Sequence, residues 1–239
     1  MNLGPLRICY LMAALGAAGL TGAACAGEAV GERDTPPQGR SAVVDAPVAR
    51  PVAARPRIVV LGDSLTAGYG LGRRESVPAL LQSRIDAAGL GYEVVNAGVS
   101  GDTSAGGLSR LDWALDGDVR VLIIELGAND GLRGLPVAAM RANLDQIIRR
   151  AKARGIAIVL TGMEAPPNYG AAYTAEFRAA FRELAQTHRV AFMPFFLEGV
   201  AGVPALNIAD GIHPNAKGAR IVEAALWRTL QPLLTRTAE

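Results

Sequence analysis

The sequence of 239 residues is poor in cysteine, histidine and aromatic residues, and it carries little net charge. Two cysteines cannot build a disulfide-rich scaffold, and the chain has no Cys/His cluster that would hold a structural zinc ion. A net charge of +2 argues against nucleic acid as a partner, because nucleic-acid binding needs a concentrated basic surface. An aromatic content of 5% argues against a platform on which sugars or bases stack. Hydrophobic residues make up 50% of the chain, which excludes disorder as the state of the whole chain.

The first 26 residues have the pattern of a secretory signal peptide. Arg7 is the only charged side chain before Glu28, and it precedes an apolar stretch that ends in small residues. Ala24-Cys25-Ala26 fits a cleavage site with the cut after Ala26. A second interpretation stays open, in which Cys25 is lipidated and tethers the protein to a membrane. Both interpretations predict an exported, periplasmic protein whose folded part contains no cysteine.

Residues 27–56 are predicted to be a linker rich in proline and alanine. Five prolines lie there among alanine, glycine and charged residues, and neither a helical nor a strand period persists. The folded domain is therefore expected to cover residues 57–239.

Strand and helix patterns alternate along that domain. The five predicted strands are short β-branched or apolar runs at 57–61, 92–96, 119–126, 156–160 and 190–194. Amphipathic segments between them are predicted helices, including one over 104–115 and a last one over 214–230. This alternation builds a parallel sheet with helices on both faces, and ligands of such sheets bind beyond the carboxyl ends of the strands.

The two histidines are the candidates for a catalytic base. His188 ends an amphipathic helix, where a solvated imidazole at the helix C-terminus is the expected role. His213 stands in Asp210-Gly211-Ile212-His213-Pro214. An Asp three residues before a His in a glycine-containing turn can reach the imidazole and fix its tautomer, as in the orienting half of a hydrolytic triad. A second interpretation stays open, in which Asp210 and the residues around Pro214 only start the last helix.

Ser64 is the candidate nucleophile among seven serines. It follows the first predicted strand directly, in Gly62-Asp63-Ser64-Leu65, and so lies at the ligand-binding edge of the sheet. The segment lacks the Gly-Lys-Ser/Thr ending of a phosphate loop, which argues against nucleotide binding. It also departs from the Gly-x-Ser-x-Gly nucleophile elbow, because Thr66 stands at the position of the last glycine.

Acyl transfer at Ser64 also needs hydrogen-bond donors for a tetrahedral oxyanion. The backbone amides of Ser64 and Gly101 and the side-chain amide of Asn129 all lie on predicted strand-end loops. Taken singly, Gly101 and Asn129 are equally explained as ordinary loop residues. Their occurrence together with Ser64 and His213 favours a catalytic role.

Four blocks in this order resemble those of the GDSL or SGNH hydrolase family: Gly62-Asp63-Ser64-Leu65, Gly101, Gly127-Ala128-Asn129-Asp130 and Asp210-Gly211-Ile212-His213-Pro214. Longer matches resemble the periplasmic multifunctional thioesterase/lysophospholipase branch, often labelled arylesterase. The resemblance implies a flavodoxin-like three-layer α/β/α sandwich, in agreement with the five-stranded parallel sheet predicted from the alternation. It also implies a triad of Ser64, Asp210 and His213, with an oxyanion hole formed by Ser64, Gly101 and Asn129.

The expected activity is hydrolysis of carboxylic esters through an acyl-enzyme on Ser64, without a metal ion or an organic cofactor. Expected substrates are small esters and lipids, namely aryl esters, short- and medium-chain acyl esters, lysophospholipids and also acyl thioesters. We expect a monomer. Two alternatives stay open: a carbohydrate O-acetylesterase, which shares the fold and triad, and an inactive cell-envelope binding protein.

The acyl group is expected to bind between two segments that follow strands. Leu132 lies between Gly131 and Gly134, two glycines that suit the joints of a small lid. Residues 163–169, stiffened by two prolines, should form the opposite wall. Leu132 and Pro166 are therefore candidate substrate-binding residues.

Overall fold

Five strands form one fully parallel sheet in the computed structural model, which describes residues 55–235. The strands are β1 (Arg57–Gly62), β2 (Glu93–Gly98), β3 (Val119–Glu125), β4 (Ala157–Thr161) and β5 (Ala191–Met193), in the order β2-β1-β3-β4-β5. The predicted signal segment 1–26 and nearly all of the predicted linker 27–56 lie outside the described residues, so both stay predictions.

The central strands are buried on both faces, which their sequences explain. β1 and β3 are nearly continuous apolar runs, and a strand covered by helices on both sides needs apolar side chains on both sides. Gly62 at the end of β1 pairs with Gly98 of β2 and with Glu125 of β3. Because these three strand ends are in register, the polar loops that follow them lie side by side.

Helices cover both faces of the sheet. They are α1 (Ser64–Ala67), α2 (Val77–Ala87), α3 (Ser104–Ser109), α4 (Leu111–Ala114), α5 (Ala128–Leu132), α6 (Val137–Ala153), α7 (Ala171–His188) and α8 (Ala216–Thr235). α2 packs against α8, and α6 packs against α3 and α7. This arrangement confirms the three-layer α/β/α sandwich with a five-stranded parallel sheet. Of the helices within residues 55–235, none combines the length and the apolar character needed to cross a membrane.

The helix predicted over 104–115 is broken at Arg110. The guanidinium of Arg110 pairs with Asp102 at 2.6 Å and donates to the carbonyl oxygens of Ala97 (2.7 Å) and Gly62 (2.9 Å). Arg110 leaves helical geometry to make these contacts, which divides the segment into α3 and α4. The bonds fasten the loop after β2 to the carboxyl ends of β1 and β2.

The last helix begins two residues later than predicted and continues further. Asn215 caps it, because the Asn215 side-chain oxygen accepts from the backbone N–H groups of Lys217 (2.9 Å) and Gly218 (3.2 Å). Pro214 therefore stays outside α8, in the loop that carries His213.

Candidate active site

Loops at the carboxyl edge of the sheet bring Ser64, His213 and Asp210 into one hydrogen-bonded chain. Ser64 opens α1 directly after β1, and the other two residues lie between β5 and α8. The Ser64 Oγ atom is 2.8 Å from Nε2 of His213, and Nδ1 of His213 is 2.6 Å from Oδ2 of Asp210.

The partners of His213 define its tautomer. An ionised Asp210 can only accept, so Nδ1 of His213 carries the proton and Nε2 accepts from the Ser64 hydroxyl. Oδ1 of Asp210 accepts from the backbone N–H groups of Ile212 (2.9 Å) and His213 (3.0 Å). These bonds, the one from His213 first, lower the pKa of Asp210 to about 2. Asp210 is therefore ionised at neutral pH, and it holds the neutral imidazole in the tautomer whose Nε2 can act as a base.

The loop that carries His213 is held at both of its ends. Asn207 and Pro214 form an antiparallel bridge, and the Ile208 N–H donates to the His213 carbonyl oxygen at 2.8 Å. The ring of Tyr69 lies tilted against the imidazole, with 4.7 Å between the ring centroids. Tyr69 is not among the residues predicted for the site. Its only signal in the sequence is an aromatic residue between two glycines shortly after Ser64.

The side-chain amide of Asn129 is engaged within the protein. Its Nδ2 donates to Oδ2 of Asp63 at 3.0 Å and to the carbonyl oxygen of Asp102 at 2.9 Å. An oxyanion bound to Asn129 would therefore share amide hydrogens that already have acceptors. The sequence does not reveal these two acceptors. The backbone N–H groups of Ser64 and Gly101, in contrast, donate to no acceptor within residues 55–235.

Ser64 and His213 lie in the wall of a mostly apolar cavity of about 460 Å³. Both candidate substrate-binding residues, Leu132 and Pro166, also line it, whereas Gly101 does not. Further apolar residues of the lining are Leu65, Met163, Ala165, Leu197 and Ile212. Its size and lining suit an acyl chain with its carbonyl carbon at Ser64.

A larger cavity, of about 800 Å³, lies beside α7 and β5. It shares Glu164 and Phe195 with the smaller cavity but contains neither Ser64 nor His213. The candidate catalytic residues therefore line the smaller of the two cavities.

The loop after α5 packs against Tyr169, a contact that the expectation of a hinged lid did not include. The Tyr169 hydroxyl donates to the Leu132 carbonyl oxygen at 2.9 Å. Gly134 has a φ of +60°, and a Cβ atom there would lie 2.4 Å from the Tyr169 ring. Gly131 lies inside α5. In this structure the two glycines permit a turn and close packing, and the lid stays a prediction.

Two fully buried carboxyl groups, Asp63 and Glu125, lie next to the Ser64 turn. Oδ1 of Asp63 accepts from the Leu65 N–H at 3.0 Å, and Oε2 of Glu125 accepts from the Thr66 hydroxyl at 2.7 Å. Burial raises the pKa of Asp63 to about 6. Burial, and then the charge of Asp63, raise the pKa of Glu125 well above its ordinary value. The sequence holds one overlooked signal for this pair, a charged residue near the end of an apolar strand.

His188 lies away from this cavity and is not solvated as predicted. Its side chain is only 10% exposed, because α7 packs against α6, and its Nε2 is 2.7 Å from Oδ1 of Asp145. Within residues 55–235 no serine hydroxyl is hydrogen-bonded to His188. The His188–Asp145 pair therefore resembles the His213–Asp210 pair in composition but lacks a nucleophile.

Comparisons with known proteins point to one family. Residues 60–221 match the family model described as the GDSL-like lipase/acylhydrolase family. The chain is 46% identical to the esterase TesA of Pseudomonas aeruginosa over 184 residues, which are 76% of this chain and 91% of that protein. It is 38% identical to thioesterase 1/protease 1/lysophospholipase L1 of Escherichia coli K12 over 183 residues, 76% of this chain and 86% of that protein. A crystal structure of the psychrotrophic esterase EstA from Pseudoalteromonas, inhibited by monoethylphosphonate, matches with a TM-score of 0.71 and 36% identity, covering 75% of this chain and 98% of that chain.

Proposed function

The chain belongs to the GDSL-like lipase/acylhydrolase family and is a carboxylic ester hydrolase, and we propose that Ser64, His213 and Asp210 are its catalytic triad. The observation that carries the proposal is the hydrogen-bonded chain from Asp210 through His213 to Ser64 in the wall of an apolar cavity. All three residues belong to one chain, so the triad itself needs no second copy, and we propose that the enzyme acts as a monomer.

The reaction proceeds in two acyl-transfer steps. His213 Nε2 takes the hydroxyl proton as Ser64 Oγ attacks the ester carbonyl carbon, and the protonated imidazole then gives that proton to the leaving alcohol. Water attacks the resulting acyl-enzyme with His213 again as the base, which releases the acid and restores Ser64. Asp210 stays ionised throughout and stabilises the imidazolium.

The oxyanion is held by three donors. The backbone N–H groups of Ser64 and Gly101 are available, because no acceptor among the described residues competes for them. The Asn129 amide supplies the third hydrogen bond by sharing a hydrogen with one of its present acceptors. Donors fixed before the reaction stabilise the developing charge without reorganisation.

The substrates are small esters and lipids, and we assign medium-chain acyl esters and lysophospholipids to the apolar cavity, with acyl thioesters as a second group. The comparisons do not favour the carbohydrate O-acetylesterase or the inactive binding protein, since the relatives are an esterase and a thioesterase/lysophospholipase. Neither of these two names mentions a carbohydrate substrate.

Leu132→Ala is expected to lower kcat/KM for p-nitrophenyl octanoate by about tenfold, because each buried methylene contributes about 0.8 kcal/mol. The acetyl ester should lose much less, since its acyl chain has fewer carbons to bury in the cavity. Steady-state kinetics over a series of acyl lengths measures the difference. Val99→Ala is the matched control, because Val99 and Leu132 are similarly exposed (44% and 43%) but Val99 does not line the cavity. Equal losses for both esters would remove Leu132 from the acyl site, and wild-type activity on acetyl esters alone would contradict the assigned substrates.

We further propose that the chain is exported and processed near residue 26. The mature protein is expected to begin at Gly27, or at Cys25 with a lipid attached. Intact-mass measurement of the protein from its native host distinguishes the two, and partition into detergent identifies the lipidated form. A native protein that retains Met1 would contradict both.

A further inference from the structure

Glu125 has no task in the mechanism above, although it lies directly behind the Ser64 turn. It is fully buried, as is Asp63, and within residues 55–235 neither carboxyl group forms an ion pair. The nearby guanidinium of Arg110 is bound to Asp102 and to backbone carbonyl oxygens. Two adjacent buried carboxylates without a cation repel each other strongly, so the pair holds one proton.

The hydrogen bonds indicate which group holds the proton. Both oxygens of Asp63 accept hydrogen bonds, from the Leu65 N–H and from Asn129 Nδ2, as expected of a carboxylate. Oε2 of Glu125 also accepts, from the Thr66 hydroxyl. Oε1 of Glu125 receives no donor from the described residues and is buried. The Asp63 N–H also donates to Oε2 of Glu125, at 3.3 Å, so the Glu125 carboxyl lies against Asp63, and the two side chains are in hydrogen-bond contact. A buried oxygen without a donor favours the neutral acid, so we place the proton on Glu125.

We propose that Glu125 is a protonated positioning residue: its carboxyl proton is donated to Asp63 and thereby holds Asp63 in the orientation that fixes the Asn129 amide at the oxyanion site. The proposal rests on the oxyanion role proposed for Asn129. The end of β1 leaves space for the bond between the Thr66 hydroxyl and Glu125, because a Cβ atom at Gly62 would lie 2.6 Å from Oε2 of Glu125.

The charged and titratable groups around the pair determine the expected pH dependence. They are His213 from the loop before α8, Arg110 at the junction of α3 and α4, and Asp102 from the loop after β2. The pKa of Glu125 is raised well above its ordinary value by burial and by Asp63, so the proton is kept to a higher pH than in a free carboxyl group. Its loss places a second negative charge beside Asp63, which disturbs the Asn129 amide, and kcat should fall.

Glu125→Gln and Glu125→Ala separate this role from packing. The Gln amide also donates to Asp63 and accepts from Thr66, so Glu125→Gln should keep kcat within about threefold of the wild-type value. Glu125→Ala should lower kcat by about 10- to 30-fold with KM nearly unchanged, since the oxyanion forms only in the transition state. The fall in kcat that accompanies loss of the Glu125 proton as the pH rises should be absent from Glu125→Gln. Thr161→Val is the control. It removes the buried Thr161 hydroxyl of β4, which donates to the carbonyl oxygen of Ile124, the residue before Glu125 on β3. This variant should lower stability without changing the pH profile.

Two further measurements test whether Glu125 acts through Asn129 and whether Glu125 is protonated. If Glu125 acts through Asn129, the loss caused by Glu125→Ala should largely disappear in an Asn129→Ala background, which itself should lower kcat by about 10²–10³-fold. The infrared spectrum of the wild type at neutral pH should contain a protonated carboxylic-acid band that Glu125→Gln lacks. This second measurement needs no active protein and applies even if Glu125→Ala does not fold.

The outcomes separate this proposal from the proposed function. Equal losses in Glu125→Gln and Glu125→Ala, full additivity with Asn129→Ala, or no acid band would each overturn the role of Glu125. An Asn129→Ala variant with unchanged kcat would overturn the oxyanion assignment on which it rests. Activity in Ser64→Ala would instead overturn the proposed function.

Discussion

Ser64→Ala abolishes ester hydrolysis in the proposed mechanism, with an expected loss of kcat of about 10⁵–10⁶-fold. The alanine leaves His213 correctly placed but removes the atom that forms the acyl-enzyme. The fold should persist, because the only side-chain hydrogen bond of Ser64 among the described residues is the one to His213. Kinetics on p-nitrophenyl esters of several chain lengths, with the far-UV circular dichroism spectrum and melting temperature, measure both effects.

Ser100→Ala is the matched control for that experiment, since Ser100 lies on the exposed loop after β2 beside the candidate oxyanion residue Gly101. It should leave kcat within about twofold of the wild-type value. A serine-directed phosphonate, of the kind that inhibits the related EstA, should modify Ser64 alone in a peptide map. Modification of Ser100 or Ser104, or substantial hydrolysis by Ser64→Ala, would show that the nucleophile is a different residue.

The strands and the positions of the candidate residues were predictable because local patterns determine both. β1 and β3 are apolar runs that end at glycine or polar residues, and a parallel sheet places those ends at one edge. The spacing of Asp210 and His213 likewise places both residues in one short turn. Such features depend on neighbours in the chain and not on distant contacts.

Features that depend on distant contacts could not be predicted. The break at Arg110 follows from its bonds to carbonyl oxygens of two other segments, and no local signal distinguishes Arg110 from an ordinary helical arginine. The His188 side chain is mostly buried because α7 packs on α6, where Asp145 lies 43 residues earlier in the chain. The packing of Tyr169 against Gly134 likewise joins residues 35 positions apart, so the sequence showed the glycine but not its neighbour.

Asp210→Asn is expected to lower kcat by about 10⁴-fold, through the tautomer of His213. Oδ1 of Asp210 accepts two backbone N–H groups, so the asparagine oxygen will occupy that position and its NH₂ group will face Nδ1 of His213. A donor facing Nδ1 requires that Nδ1 be unprotonated, which moves the proton to Nε2. An Nε2–H group cannot take the proton of Ser64, so the base is lost while the backbone geometry is retained.

Acid titration of Asp210 should not contribute to the wild-type pH profile in the range where histidine ordinarily titrates. The pKa of Asp210 is lowered to about 2, so its carboxylate is protonated only well below that range. The fall of wild-type kcat/KM over that range should therefore not come from protonation of Asp210, and asparagine at position 210 should lower activity at every pH on this profile.

Asp145→Asn is a closely matched control for Asp210→Asn, because both carboxylates are hydrogen-bonded to a histidine, at 2.7 Å and 2.6 Å respectively. Asp145→Asn alters the His188 pair on α6 and α7 and should change kcat by less than about twofold, although it lowers the melting temperature. If Asp210→Asn retained kcat within about tenfold of the wild type, Asp210 would not be the third triad residue. If Asp145→Asn caused an equal loss, the effect would come from the fold and not from the tautomer of His213. A large loss in Asp210→Asn alone would connect the 2.6 Å contact between Asp210 and His213 to the reaction. The two variants make the same chemical change, but only the histidine bound to Asp210 is hydrogen-bonded to Ser64.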